Sequence, residues 1–202
     1  GGNAPFIVFD DADIDAAVQG ALISKYRNSG QTCVCTNRIL VQNTIHDIFV
    51  EKLVAATADL KMGNGLDDDV QQGPLVNEKA VEDVDRLVRL STEAGAQVVL
   101  GGMRSDLGPC YYQPTVLTGI TSDMAVFRNE IFGPVAPVMS FADETEAIAL
   151  ANETEFGLAS YFYTRDIGRV WRVSEALDYG MVGVNEGIIS NEMAPFGGVK
   201  AS

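Results

Sequence analysis

The chain has 202 residues, 47% of them hydrophobic and 21% charged, a composition typical of one folded domain with a buried core. Its 28 acidic and 14 basic residues give a formal net charge of −14, which argues against nucleic acid or anionic membranes as partners. No apolar run approaches the roughly 18 residues of a membrane-spanning helix. Three cysteines, an odd number, argue against a disulfide framework and favour a reducing compartment. We expect the cytoplasm, with an organelle such as the mitochondrion as the alternative.

Predicted strands and helices alternate along the chain. Apolar runs predict strands at residues 6–9, 38–42, 98–100, 113–117, 135–141, 158–163 and 181–184. The predicted helix N-caps are Asp13, Asn77, Asp143 and Asp166, and Thr44 with Asp47 resembles an acidic capping box. Glycines are expected to end the helices, among them Gly30 and Gly180. The alternation predicts an α/β fold of three layers with a largely parallel sheet.

Cys33 lies in the stretch YRNSGQTCVC, residues 26–35, between the first predicted helix and the second predicted strand. Reactive thiols often occupy such polar, glycine-containing junctions. We therefore interpret Cys33 as a candidate nucleophile. A buried structural cysteine is the alternative that composition alone leaves open.

Cys35 follows two residues later, and in an extended segment the two side chains would point the same way. Cys35 is then either a packed neighbour or a redox partner that can trap Cys33 as a reversible disulfide. We expect no metal site, because the pair supplies two ligands, Cys110 is alone, and the only histidine, His46, begins a helix. The position of His46 also argues against a cysteine protease.

Two charged residues have both a structural and a functional interpretation. Lys25 and Arg27 are placed to interact favourably with the negative end of the first helix dipole. Arg27 could alternatively bind a substrate carboxylate through its guanidinium. Glu130 lies between large apolar residues just before a Gly-Pro turn. It is either a solvated charge at a strand end or an acceptor for cofactor hydroxyl groups.

Three motifs in order resemble the signatures of the aldehyde dehydrogenase family: GQTC at 30–33, EIFGP at 130–134 and PFGG at 195–198. Gly1-Gly2-Asn3 also resembles the segment that follows the family's ELGG motif. The resemblance covers the whole chain. It implies that residues 1–202 are the catalytic domain, without the N-terminal cofactor-binding domain and the C-terminal tail. It further implies that the chain alone has little activity and that the parent protein is a homodimer or homotetramer.

The stretches at 26–35, 161–163 and 180–187 resemble succinate-semialdehyde dehydrogenases more narrowly, with glutarate-semialdehyde dehydrogenases as close relatives. The resemblance implies that the Cys33 thiolate adds to the aldehyde. The resulting thiohemiacetal passes a hydride to NAD or NADP, and water hydrolyses the thioester. Arg27 and Ser190 would bind the carboxylate of the semialdehyde. Glu130 would hold the nicotinamide ribose, with Phe132 packing near the nicotinamide.

Overall fold

The computed structural model describes all 202 residues. The elements follow in the order β1 (Ala4–Val8), α1 (Ile14–Tyr26), β2 (Thr36–Gln42), α2 (His46–Ala58), α3 (Glu78–Glu93), β3 (Gln97–Leu100), β4 (Thr115–Thr118), α4 (Ala125–Arg128), β5 (Val135–Phe141), α5 (Glu144–Asn152), β6 (Phe156–Gly157), β7 (Ala159–Tyr163), α6 (Ile167–Ala176), β8 (Met181–Val184) and β9 (Val199–Lys200). None of the helices has both the length and the apolar character needed to cross a membrane.

Seven strands form one sheet in the order β3-β4-β5-β2-β1-β7-β8, and β6 pairs separately with β9. Every neighbouring pair in the large sheet is parallel except β3 with β4. The predicted α/β fold with a largely parallel sheet is therefore confirmed. Parallel strands need covering helices on both faces, because they are apolar on both sides.

Consecutive residues of the interior strand β1 face two separate cores, as the alternation of side chains in a strand requires. Phe6 and Val8 of β1 belong to a cluster of 20 buried residues that includes apolar side chains of α1 and α2. Ile7 belongs to a cluster of 24 buried residues on the other face, with side chains of α3, α5 and α6. The helices thus form two layers, one on each side of the sheet.

A buried arginine joins the sheet to one helical layer. Arg38 of β2 is 1% exposed and donates to the main-chain oxygens of Leu150 and Ala151, each at 2.9 Å, at the C-terminal end of α5. It also donates to Asn3 O at 3.0 Å and to the Tyr179 hydroxyl at 2.8 Å. These bonds add a charged donor to carbonyls at the end of α5, where Ala151 O also accepts from the Tyr179 hydroxyl and Leu150 O from Glu153 N.

The four single-residue caps are confirmed, but the predicted capping box is wrong. Asp13, Asn77, Asp143 and Asp166 each accept a hydrogen bond from a main-chain N–H of the first turn that follows. The helix α2 begins at His46 without a side-chain cap. Thr44 lies in a preceding 3₁₀ turn, Asn43–Ile45, so its hydroxyl is not at the start of the α-helix.

Helix ends depart from the sequence expectation in two places. The helix α1 ends at Tyr26, because Arg27 already has an extended ψ of 131°, so Gly30 is not its final stop. The helix α6 ends at Ala176 rather than near Gly180. The short elements α4, β6 and β9 were not predicted, since segments of two to four residues are too brief to show a periodicity.

Candidate active site

Cys33 follows a sharp reversal of the backbone after α1. Asn28, Ser29 and Gly30 have positive φ values of 50°, 57° and 77°. A side chain at Gly30 would overlap the main-chain oxygen of Gly133. The first two signature motifs, 30–33 and 130–134, therefore touch through their glycines, and this contact excludes a larger residue at position 30.

The loop 73–76 holds the reversal in place. Ser29 Oγ donates to Gly73 O at 2.8 Å, and Gln31 Nε2 donates to Pro74 O at 3.4 Å. Val76 N donates to Gln31 Oε1 at 2.8 Å. The residues that lead into Cys33 are thus fixed by side-chain hydrogen bonds rather than by a strand.

Cys33 is half-buried and lies in a tight turn, which Cys35 N closes by donating to Thr32 O at 3.1 Å. The assumption that Cys33 and Cys35 share an extended segment is therefore wrong, and strand geometry does not align their side chains. Cys35 is buried, with Sγ 2.8 Å from Thr32 Oγ1 and 3.7 Å from Arg27 O. All three cysteines are free thiols, and the redox pairing stays a prediction.

The start of β1 joins Glu130 to the Cys33 turn. Gly2 N donates to Glu130 Oε1 at 2.9 Å, and a side chain at Gly2 would overlap the carbonyl oxygen of Cys33. The other carboxylate oxygen, Glu130 Oε2, has no hydrogen-bond partner. Glu130 and Phe132 line an open cavity of about 340 Å³ beside helix α3. Phe132 has a φ of 54°, which is rare for a large side chain, and its ring is 44% exposed.

Arg27 is exposed and is part of no ion pair, although the chain has 28 acidic residues. It lines a small pocket, of about 10 Å³, together with Thr32 and Val34, the two neighbours of Cys33 in the chain. Gly187 and Ile188 line the same pocket. An unpaired guanidinium therefore lies beside the turn that carries the candidate nucleophile.

Ser190 is exposed and follows the segment that reaches this pocket, but it is not among the residues that line it. The structure brings Gly187 and Ile188 to Arg27 and leaves Ser190 outside. Its role in carboxylate binding stays a prediction.

Tyr161 contacts the Cys33 turn, a role that the resemblance at 161–163 did not predict. Its hydroxyl donates to Val34 O at 2.7 Å from the central part of β7. Burial raises the pKa of Tyr161 well above its ordinary value, so the phenol stays a neutral donor. Within an apolar strand pattern, nothing local distinguishes this tyrosine from a core residue.

A second missed group is a buried polar cluster around Asn37 of β2. Asn37 Nδ2 donates to Asn3 Oδ1 at 2.6 Å and to Asn129 O at 2.9 Å. Asn37 Oδ1 accepts from Ile131 N at 3.2 Å and from Lys25 Nζ at 3.5 Å. Asn37 therefore holds both neighbours of Glu130. Lys25 lies in the last turn of α1, as expected, but it is also buried, which the sequence did not predict.

The arrangement combines a half-buried thiol, an unpaired cation and a carboxylate with one free oxygen. Cys33 precedes β2, Gly2 precedes β1 and Glu130 precedes β5, so all three lie at the amino ends of neighbouring parallel strands. The fold and the site thus define an α/β domain equipped for attack by a thiol on an electrophile that carries a negative charge.

Comparison with known proteins identifies this class more closely. The family model described as "Aldehyde dehydrogenase family" matches residues 1–202, so the chain belongs to the aldehyde dehydrogenase family. It is 59% identical over 202 residues to glutarate-semialdehyde dehydrogenase of Pseudomonas aeruginosa and to 3-sulfolactaldehyde dehydrogenase of Pseudomonas putida. In both cases all of this chain aligns to 42% of the relative, so the chain spans less than half of their length.

Among solved structures, succinate-semialdehyde dehydrogenase from Burkholderia pseudomallei superimposes with a TM-score of 0.98 at 60% identity. The match covers 99% of this chain and 42% of that protein. The expected three-layer fold of an aldehyde dehydrogenase is confirmed.

Proposed function

We propose that these residues form the catalytic domain of an NAD(P)-dependent semialdehyde dehydrogenase that oxidises succinate semialdehyde to succinate. The observation that supports this most directly is the unpaired Arg27 in the pocket beside the Cys33 turn. The names of the relatives support the same substrate class, since succinate semialdehyde, glutarate semialdehyde and 3-sulfolactaldehyde each carry an anionic group besides the aldehyde. Glutarate semialdehyde, one methylene longer, is the alternative substrate.

The proposed chemistry begins at Cys33. Its thiolate forms a carbon–sulfur bond with the aldehyde carbon, and the carbonyl oxygen becomes an oxyanion. The guanidinium of Arg27 binds the distant carboxylate and so orients the aldehyde toward the sulfur. Loss of a hydride from the same carbon leaves a thioester on Cys33. Water then cleaves the carbon–sulfur bond, which releases the carboxylic acid and regenerates the thiol.

The residues around Glu130 fit the ribose and nicotinamide of a dinucleotide. Glu130 Oε1 is held by Gly2 N, while Oε2 is free to accept a hydrogen bond from a hydroxyl group. The half-exposed ring of Phe132 lines the same cavity and offers a flat apolar surface. When bound, the nicotinamide supplies the oxidant that accepts the hydride. The choice between NAD and NADP is left open by these residues.

Because the chain spans 42% of its relatives' length, we infer that turnover needs residues beyond these 202. The isolated chain is then expected to show little or no oxidation of succinate semialdehyde with either cofactor. Steady-state reduction of NAD or NADP by the 202-residue chain would contradict this part of the proposal.

The nucleophile can be tested in the chain itself by alkylation with a limiting amount of iodoacetamide near neutral pH, followed by peptide mapping. We expect Cys33 to be labelled faster than Cys35 and Cys110, which serve as internal controls. Cys110 is the better matched control, because both it and Cys33 are half-buried free thiols. Equal labelling of Cys33 and Cys110 would favour the second candidate, a structural domain with an inert cysteine.

A further inference from the structure

The turn at residues 32–35 is anchored at both of its ends by side chains from other parts of the chain. Gln31, just before the turn, is held by the loop 73–76. Thr36, just after it, donates its main-chain N–H to Ser24 Oγ of α1 at 3.2 Å. These anchors fix where the backbone enters and leaves the turn, but they do not reach its middle.

The middle of the turn, residues 33 and 34, takes part in one hydrogen bond with the rest of the chain. Tyr161 Oη donates to Val34 O at 2.7 Å, the usual length for a bond between a hydroxyl group and an oxygen acceptor. The main-chain N–H and carbonyl of Cys33 form no hydrogen bond within the chain. The segment that carries the proposed nucleophile is therefore tied to the sheet through one phenol.

The ring of Tyr161 has little freedom to move. Tyr161 is fully buried in β7, and its ring centroid lies 6.1 Å from that of Phe6 on the neighbouring strand β1. On the neighbouring strand β8, a Cβ atom at Gly183 would come within 3.0 Å of Tyr161 Cδ1. Because β7 pairs with strands on both sides, the hydroxyl is presented to the turn from a rigid part of the fold.

Tyr161 also lies beside the proposed substrate site, since it lines the same pocket as Arg27 and Val34. Without the phenol oxygen, the carbonyl of Val34 would lose its donor and the turn could relax. A reacting atom that is misplaced by about 1 Å can slow an oriented reaction about 100-fold. A small shift of this turn would therefore matter for attack by the Cys33 sulfur.

We propose that Tyr161 is a positioning residue, whose hydroxyl fixes the Val34 carbonyl and thereby holds the Cys33 sulfur in place for an aldehyde bound at Arg27. The inference rests on the proposed function, since it presupposes attack by Cys33. The ring fills the core with or without its oxygen, so the hydroxyl alone has this role. A bound aldehyde needs a defined position of the sulfur, whereas iodoacetamide approaches from solution and needs only an available thiolate.

The test compares Tyr161→Phe with Tyr163→Phe in the full-length enzyme that contains this chain. Tyr163 is a matched control because it lies on the same strand and in the same buried cluster, with its ring centroid 5.1 Å from that of Phe6. Its hydroxyl forms no hydrogen bond within the chain.

Two properties are measured for each variant. The first is kcat/KM for succinate semialdehyde and for butanal, an uncharged aldehyde of the same length. The second is the rate at which iodoacetamide alkylates Cys33, assigned by peptide mapping. Urea unfolding gives the folded fraction of each variant, and both rates are expressed per folded enzyme.

We expect Tyr161→Phe to lower kcat/KM about tenfold or more for both aldehydes, so that the ratio between them is unchanged. The alkylation rate of Cys33 should change by less than about threefold, because the thiol itself is not altered. Tyr163→Phe should leave all of these values unchanged.

Equal kcat/KM values in Tyr161→Phe and Tyr163→Phe would overturn the inference. Parallel losses of aldehyde oxidation and Cys33 alkylation would also overturn it, because they would indicate that the hydroxyl maintains the fold of the turn rather than the position of the sulfur. Failure of the proposed function is seen in the unaltered enzyme instead, which would then label Cys33 no faster than Cys110 or would not oxidise succinate semialdehyde.

Discussion

The role of Arg27 could be predicted from the sequence only in part. Its position after α1 is consistent with two roles. The guanidinium could interact favourably with the negative end of the helix dipole, or it could bind a substrate carboxylate. The structure shows that it forms no ion pair and lines the pocket beside the Cys33 turn. Its neighbour Lys25 had the same helix-end interpretation, yet it is buried. Local sequence does not distinguish the two, because burial depends on the strands that pack over each position.

Arg27→Met is expected to weaken discrimination for a charged substrate in the full-length enzyme. The ratio of kcat/KM for succinate semialdehyde to that for butanal should fall about 10- to 100-fold, as expected for loss of a charged hydrogen bond. Butanal has the same chain length without the carboxylate, so its own kcat/KM should change little. Steady-state kinetics with both aldehydes provides the measurement.

The matched control for Arg27 is Arg165→Met, which removes an exposed arginine that pairs with Asp13 on the surface. This control should leave the ratio unchanged. An equal loss for the two aldehydes with Arg27→Met would show that Arg27 maintains the turn rather than the specificity.

Local sequence signals predicted helices well where a single capping residue determines the helix start. Asp143 and Asn77 are caps because a side-chain oxygen next to the first turn accepts one of its free N–H groups. Thr44 carried the same kind of signal and failed, since a 3₁₀ turn precedes α2. The reversal at Asn28–Gly30 was also missed. It is fixed by Gly133 and by the loop 73–76, which are distant in sequence.

The attachment of α5 to the sheet depends on Arg38, and Arg38→Met is expected to lower the free energy of unfolding by about 3 kcal/mol or more. The substitution removes a buried charged donor from the main-chain oxygens of Leu150, Ala151 and Asn3. Ala151 O keeps the Tyr179 hydroxyl as a donor, and Leu150 O keeps the weaker bond from Glu153 N. Urea unfolding followed by circular dichroism measures the change.

Arg89→Met is the control for Arg38, because Arg89 forms an exposed ion pair with Glu93 on α3. Its loss should change the free energy of unfolding by less than about 1 kcal/mol. If the two variants unfold at the same urea concentration, the buried bonds of Arg38 do not anchor α5.

The layers of the fold were predictable from the sequence, and the order of the strands in the sheet was not. Alternation of helices and strands indicates an α/β fold, but the pairing of β1 with β7 joins distant parts of the chain. The site depends on such contacts too, since Glu130 meets Gly2 across 128 positions. The motifs identified Cys33 and Glu130 as separate candidates. Only the folded chain shows that the start of β1 links them.

The buried titratable groups predict an unusual pH dependence of stability. The pKa of Lys25 is about 8 in the folded chain and near its ordinary value of 10.5 in the unfolded chain. Between these values the unfolded state binds more protons, so the free energy of unfolding should rise with pH. Burial raises the pKa values of Tyr26, Tyr112 and Tyr161 in the folded chain. Above about pH 10 the folded state therefore binds more protons, and stability should fall.

Urea unfolding between pH 7 and 11 should consequently show greatest stability at about pH 9 to 10. Lys25→Met should abolish the rise between pH 8 and 10 and should be more stable than the unaltered chain at neutral pH, by about 1–3 kcal/mol, because an uncompensated buried charge is removed. The fall above pH 10 should persist in the variant, since the tyrosines are unchanged. A free energy of unfolding that is flat or declining from pH 8 to 10 in the unaltered chain would mean that Lys25 has a partner that compensates its charge. The chain would then keep a charged lysine beneath its proposed active site without loss of stability.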